Sequence, residues 1–153
     1  MSRLATRRTP AECIHASRED TLAFIQRQND LDAGVGYSFC VACNDTDAAV
    51  GTTGLRVALI LTGRATTGYS VAPRDRGRGI GGQTLTALTR FAWSIPELDR
   101  IELHIEPWNV ASVRTAERAG YERKGLLRSY KEIDGNRVDM LLYAAIRQRK
   151  AIV

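Results

Sequence analysis

The segment VAPRDRGRGIGGQTLTALTRFAW, residues 71–93, decides the fold of this chain. Arginines and glycines crowd its first part, and an apolar-periodic run follows without a break. Leu85, Leu88 and Ala92 recur at helical spacing, and Pro96 prevents much continuation of that helix. The order of strand, glycine-rich turn and helix predicts a turn that exposes backbone N–H groups at a helix N-terminus, where a phosphate can bind.

The glycine-rich turn has the composition of a phosphate-binding site. Glycine lets the backbone approach a ligand closely and adopt conformations that a Cβ forbids. The turn contains four such residues, Gly77, Gly79, Gly81 and Gly82. Arg74, Arg76 and Arg78 would add charge-assisted contacts. The spacing matches neither the P-loop nor the GxGxxG motif, so spacing alone leaves a solvated Arg/Gly surface turn as the alternative.

The rest of the chain alternates predicted strands and helices. Alternating or β-rich runs predict strands at 37–44, 64–73 and 99–107, with one irregular strand or a strand pair at 49–63. Helix patterns begin near Ser17 and at Asn109, and a hairpin turning at Asp134 and Gly135 follows the second helix. Strands on both sides of helices predict a mixed α/β sheet, and no linker divides residues 1–153 into two domains.

Bulk composition is that of an ordinary globular protein, with 44% hydrophobic and 25% charged residues among 153. No apolar stretch approaches the ~20 residues of a membrane span, and the N-terminus lacks the apolar core of a secretory signal. The net charge of +5 suits an anionic ligand and does not require nucleic acid. We therefore expect neither a membrane nor a nucleic-acid partner.

Cysteine usage predicts a reduced, cytoplasmic protein. The three cysteines are Cys13, Cys40 and Cys43, an odd number without metal-like spacing to a histidine. Cys40 and Cys43 lie on one predicted strand, where residues three apart point to opposite faces. The sequence therefore predicts neither a redox pair nor a metal site.

Two segments together resemble the GNAT superfamily of N-acetyltransferases, and within it the RimJ/RimL-type subgroup. The superfamily pattern R/Q-x-x-G-x-G/A is matched by Arg76, Gly79 and Gly81. The subgroup pattern P-x-N-x-x-S-x-x-x-x-E-x-x-G-F/Y is matched by Pro107, Asn109, Ser112, Glu117, Gly120 and Tyr121. The GLLR at 125–128 and the V-D-x-x-x-Y at 138–143 also resemble this subgroup. The resemblance covers residues 37–147.

This resemblance implies a fold and a donor. The fold would be a mixed, mostly antiparallel sheet with helices on both faces and a V-shaped splay between its central strands. The donor would be acetyl-CoA, without a metal, and its pantetheine arm would pair with the strand that ends near Val71. The residues implied for coenzyme binding are Val71, Arg76, Gly77, Arg78, Gly79, Ile80, Gly81, Gly82, Asn109 and Ser112.

Acetyl transfer from a thioester to an amine also needs a proton acceptor, an oxyanion donor and stabilisation of the leaving thiolate. Many family members use a helix tyrosine for the thiolate; Ala116 stands there, so Ser112 becomes the candidate donor. Glu102 and Glu106 share one strand face with His104, and the two carboxylates are candidate bases. That face could equally be a solvated one.

Two further positions bear on the base. Some relatives carry a glutamate where Lys131 aligns, so that base does not transfer to this chain. Asp139 matches the family pattern, and a structural hydrogen bond is its expected role.

The N-terminus departs from the family pattern. About 16 residues precede the region that matches ASREDTLAFIQ, too few for the usual strand and helix. We expect either a sheet that is one strand short, with an exposed edge, or a homodimer that covers this edge.

The leading hypothesis is an acetyl-CoA-dependent N-acyltransferase that acts on a protein N-terminal amine or a small-molecule amine. A catalytically degenerate acyl-CoA-binding module is the alternative. A basic nucleic-acid- or phosphate-binding domain is a third reading.

Overall fold

The computed structural model describes residues 2–5 and 36–149. They contain seven strands, β1 (Ser2–Ala5), β2 (Gly36–Cys43), β3 (Ala49–Arg56), β4 (Arg64–Val71), β5 (Arg100–Ile105), β6 (Glu122–Ile133) and β7 (Asn136–Ile146). They also contain two α-helices, α1 (Ile80–Trp93) and α2 (Val110–Arg118), and short 3-10 turns at Ile60–Thr62 and Pro73–Asp75. Within these residues no helix is both long and apolar enough to cross a membrane.

The seven strands form one sheet in the order β1-β2-β3-β4-β5-β7-β6. Every neighbouring pair is antiparallel except β4 and β5, which run parallel because α1 connects them. The predicted mixed, mostly antiparallel sheet is therefore confirmed. The ambiguous segment 49–63 forms a single strand, β3, followed by the 3-10 turn.

One face of the sheet, here called the helix face, carries the main core. Ile101, Leu103 and Ile105 of β5 are buried on it, and they belong to one cluster with α1 and α2. The members that α1 contributes, Leu85, Leu88 and Ala92, are at most 1% exposed, which confirms the stripe read from the sequence. The opposite side, here called the second face, carries the even-numbered residues of β4 and β5, such as Glu102.

The central pair of strands separates partway along its length. The β4–β5 ladder pairs Arg64 with Arg100 at one end and Thr67 with Leu103 at the other. β4 nevertheless continues to Val71, paired only with β3 on its other edge. This loss of pairing is the expected splay, and it leaves backbone groups of 68–71 without a partner strand on the β5 side.

The expectation of a sheet that lacks its first strand is wrong. β1 pairs with β2 from Ser2 opposite Cys43 to Ala5 opposite Cys40, so the chain itself supplies the first strand and covers residues 40–43 of that edge. The expectation of a homodimer at this edge depended on a missing first strand, and the presence of β1 removes that reason. The helix expected near Ser17, and Cys13, lie outside the described residues.

Candidate active site

The glycine-rich turn joins the end of β4 to the start of α1. Gly77 and Gly79 adopt φ angles of 75° and 76°, in the left-handed region that favours glycine. Gly79 is the N-cap of α1, and no side chain caps the first amides of that helix. The turn therefore presents backbone N–H groups at the positive end of the helix dipole.

An internal ion pair holds the shape of this turn. Asp75 is only 8% exposed, and its Oδ1 accepts a hydrogen bond of 3.0 Å from Arg78 Nη1. Its Oδ2 lies 3.3 Å from Arg74 Nε without hydrogen-bond geometry. Arg76 Nε donates to the carbonyl oxygen of Val71 at 3.2 Å. The arginines thus shape the turn, while the guanidinium of Arg78 remains largely exposed and able to approach an anion.

The N-terminus of α2 lies near the same end of the splay. Asn109 caps α2, since its Oδ1 accepts a hydrogen bond of 3.2 Å from the backbone amide of Ser112. The Ser112 hydroxyl in turn accepts a long hydrogen bond, 3.5 Å, from the phenol of Tyr69. The cap predicted for Asn109 is confirmed, and it fixes the first turn that carries Ser112.

Tyr69 is a site residue that the sequence analysis missed. It lies on the unpaired part of β4, on the helix face, and its ring packs on Gly81: a Cβ there would lie 3.0 Å from Tyr69 Cε2. Tyr69 therefore joins the glycine-rich turn to Ser112. Strand alternation in the sequence places Tyr69 on the same face of β4 as Ala65. The sequence does not show that Tyr69 contacts Ser112, which lies 43 positions later.

Three other residues of the segment 107–121 have structural roles. Glu117 accepts a hydrogen bond of 3.1 Å from Tyr143 of β7, which ties α2 to the sheet. Tyr121 is buried and shares a 2.8 Å hydrogen bond with Thr89 of α1, and its burial raises its pKa to about 12. Ala116 is fully buried, so the position of the missing helix tyrosine is filled by core packing.

The second face carries the side chains considered as bases. Glu102 Oε1 accepts a hydrogen bond of 2.6 Å from Arg100 Nε. Glu106 follows the end of β5, and its Oε2 accepts a hydrogen bond of 2.6 Å from the exposed Trp108. His104 stacks on Tyr130 of β6, with ring centroids 5.0 Å apart. Alternation along β5 separates Glu102 and His104 from Ser112, which lies on the helix face.

A bulge in β6 brings Tyr130 to this position. The β6–β7 register shifts between Leu127 and Lys131, and Ser129 adopts a φ of 50°. Asp139 Oδ1 accepts a hydrogen bond of 2.7 Å from the Ser129 amide, and Arg137 donates to the Ser129 carbonyl oxygen. The structural role predicted for Asp139 is confirmed, because it stabilises the bulge.

The glycine-rich turn and the unpaired edge of β4 have the geometry that an acyl-CoA requires. The turn offers free amides and glycines at left-handed φ, and the unpaired edge of β4 offers a place for an extended amide chain. Among residues 2–5 and 36–149, no cluster of three histidine, cysteine or carboxylate side chains is placed to hold a metal ion.

Comparison with known proteins gives relatives of one kind. The chain is 28% identical to p20, an uncharacterized N-acetyltransferase of Bacillus licheniformis, over 94% of this chain and 79% of p20. It is 32% identical to the ribosomal protein uS5 alanine N-acetyltransferase of Escherichia coli over 77 residues, which cover 50% of this chain and 40% of that protein. A Vibrio cholerae structure described as a ribosomal-protein-serine acetyltransferase superposes with a TM-score of 0.73 at 29% identity, covering 86% of this chain and 76% of that one.

The family model for the GNAT acetyltransferase domain matches residues 2–122, from β1 to the start of β6. That range includes the glycine-rich turn, the splay and both described helices. The chain therefore belongs to the GNAT family of acetyltransferases, enzymes that move an acetyl group from acetyl-CoA to an amine.

Proposed function

We propose that this chain transfers the acetyl group of acetyl-CoA to the α-amine of a protein N-terminus, as a member of the RimJ/RimL-like subgroup. The observation that carries the proposal is the gap where β4 and β5 stop pairing. On the helix face this gap adjoins Ser112 and the turn that fits a pyrophosphate, and on the second face it adjoins ionisable side chains. A donor and an acceptor can therefore meet in the gap from opposite faces.

On the donor side, the amides of 77–82 and the side chains of Arg76 and Arg78 bind the pyrophosphate. The pantetheine arm takes the place of a strand along 68–71, and Asn109 contributes a hydrogen bond. The backbone N–H near Val71 stabilises the oxyanion of the tetrahedral intermediate. Ser112, oriented by its amide bond to Asn109 and by Tyr69, donates to the departing thiolate.

On the acceptor side, the proton acceptor belongs to the group Glu102, His104 and Glu106. Direct transfer in a ternary complex needs no acyl-enzyme, because the amine nitrogen attacks the thioester carbon that the gap holds beside it. Gly68 of β4 contributes room on the second face: no described atom lies within 4 Å of the place where its Cβ would be.

The relatives support the N-terminal amine as acceptor. Of the three relatives compared above, two are named for an acceptor in a ribosomal protein, one for alanine and the other for serine. An α-amine has a pKa of about 7.7–8.0, so a useful fraction of it is neutral near pH 7.5, whereas a lysine-like amine with a pKa of about 10.4 is almost fully protonated.

The test combines binding with turnover. Acetyl-CoA should raise the melting temperature, and coenzyme A release should accompany acetylation of peptides that begin with alanine or serine. The matched control is the same peptide with its N-terminus already blocked, which should be inert; spermidine tests a small polyamine.

Three other outcomes have distinct meanings. If acetyl-CoA raised the melting temperature but no acceptor were acetylated, the catalytically degenerate acyl-CoA-binding module would be favoured. If acetyl-CoA left the melting temperature unchanged, the nucleic-acid- or phosphate-binding domain would be favoured. Turnover on spermidine alone would contradict the protein acceptor. We also propose a cytoplasmic location, in keeping with the odd number of cysteines, Cys13, Cys40 and Cys43, in the sequence.

A further inference from the structure

His104 lies where the β4–β5 ladder ends. The last paired residues are Thr67 and Leu103, so His104 is the first residue of β5 beyond the ladder, and Gly68 is its counterpart on β4. Leu103 and Ile105 are buried on the helix face, and alternation places His104 on the second face. Its imidazole therefore lies at the mouth of the gap, on the opposite side of the sheet from Ser112.

The ring of His104 is held in place while its edge stays available. It stacks on Tyr130 at an interplanar angle of 18°, and the clamped bulge at Ser129 fixes the backbone that carries Tyr130. Across the residues that the structure describes, neither ring nitrogen of His104 has a hydrogen-bond partner. The imidazole is thus oriented by its face and can bond a substrate through its edge.

The two neighbouring carboxylates are placed less favourably. Glu102 lies opposite Thr66, inside the paired part of the ladder, and its Oε1 is bound by Arg100. Glu106 lies beyond the end of β5, and its Oε2 is bound by Trp108. Of the three side chains, only His104 combines a position at the mouth of the gap with free polar atoms among the described residues.

The charge state of His104 suits a proton acceptor. Partial burial lowers its pKa below the usual value of 6.5; Glu102 on the same strand opposes this and Lys131 on β6 reinforces it. Tyr130 is the other titratable group that contacts the imidazole ring. On β7, the residue paired with His104 is Leu142, which carries no charge. The imidazole is therefore neutral near pH 7.5 and can accept a proton.

We propose that His104 is the general base of the transfer, positioned by its stack on Tyr130. The lone pair of the amine nitrogen forms the N–C bond to the thioester carbon, and a nitrogen-bound proton moves to the imidazole. The C–S bond then breaks with its electron pair on sulfur; the Ser112 hydroxyl donates a hydrogen bond to the thiolate, which takes a proton from solvent. His104 returns its proton to solvent.

This inference rests on the proposed function and deepens it by favouring one class of amine. An imidazole with a pKa below 6.5 is a weak base, which serves an acceptor that already carries a fraction of neutral amine. An α-amine, with a pKa of about 7.7–8.0, is partly neutral near pH 7.5, whereas a lysine-like amine of a polyamine, with a pKa of about 10.4, is almost fully protonated. His104 therefore points to N-terminal α-amines.

The test measures kcat/KM against pH for an alanine-initiated peptide. In the wild type two groups must lose a proton, the α-amine and His104, so the logarithm of kcat/KM should rise with slope two below the pKa of His104 and slope one above it. His104→Gln should lower kcat/KM by about 100-fold or more and leave slope one throughout. Acetyl-CoA affinity should stay within twofold, because His104 lies on the face away from the turn.

Glu102→Gln and Glu106→Gln are the matched controls and should keep the slope of two. Tyr130→Leu, which removes the stack, should lower kcat by several-fold and keep the slope. A wild-type slope of one, or His104→Gln with wild-type activity, would overturn the inference while leaving the proposed function intact. A wild type that binds acetyl-CoA but acetylates no acceptor would overturn both.

Discussion

The two faces of the sheet at the splay are built in different ways. On the helix face, the turn 71–82 is one continuous stretch of chain, and the Asn109 cap that carries Ser112 is a second local motif. On the second face, His104 of β5 meets Tyr130 only because a bulge in β6 shifts its register. The donor side is therefore encoded locally, whereas the acceptor side depends on long-range pairing of strands.

The largest effect that tests this difference is expected at Gly79. Gly79→Val places a branched side chain at a φ of 76°, which costs about 1–2 kcal/mol and distorts the amides at the start of α1. Acetyl-CoA should then bind at least ~100-fold more weakly, measured by calorimetry.

The matched control for Gly79→Val is Gly135→Val, at the same φ of 76° in the β6–β7 hairpin. It should cost a similar stability and leave acetyl-CoA affinity unchanged. Equal loss of affinity in both variants would mean that the turn acts only through global stability.

A smaller effect, confined to the acceptor, is expected at Gly68. Gly68→Val fills the open space on the second face, so KM for the peptide should rise about tenfold, or ~1.4 kcal/mol, while Kd for acetyl-CoA changes less than twofold. Gly125→Val is the control, since it also has no described atom near its Cβ but lies on β6. A parallel rise in Kd for acetyl-CoA would show that the two faces are not separable.

The smallest effect is expected at the phenol of Tyr69. Tyr69→Phe keeps the ring against Gly81 and removes the hydroxyl that donates to Ser112, so kcat should fall about threefold to tenfold, in keeping with a long neutral hydrogen bond of ~1 kcal/mol. Ser112→Ala should lower kcat further, and the double variant should equal Ser112→Ala alone. Additive effects in this cycle, measured by steady-state kinetics, would place the two hydroxyls in separate roles.

Local patterns predicted most of the fold and the donor side. The stripe of Leu85 and Leu88, the cap at Asn109 and the turn at Asp134 each depend on residues close in sequence. β1 was missed because four residues carry too little pattern and only pairing with β2 stabilises them. Tyr69 was missed for a related reason, since only the packing of α2 against α1 and β5 brings Ser112 to it.

The unpaired stretch of β4 also has a consequence for backbone dynamics. Residues 68–71 are paired with β3 but lack a neighbour on the β5 side, so half of their amides depend on solvent or ligand. Amide hydrogen exchange there should be fast in the free protein and should slow sharply when an acyl-CoA occupies the gap. The exchange rates of the amides of 68–71 therefore indicate whether acyl-CoA is bound between β4 and β5.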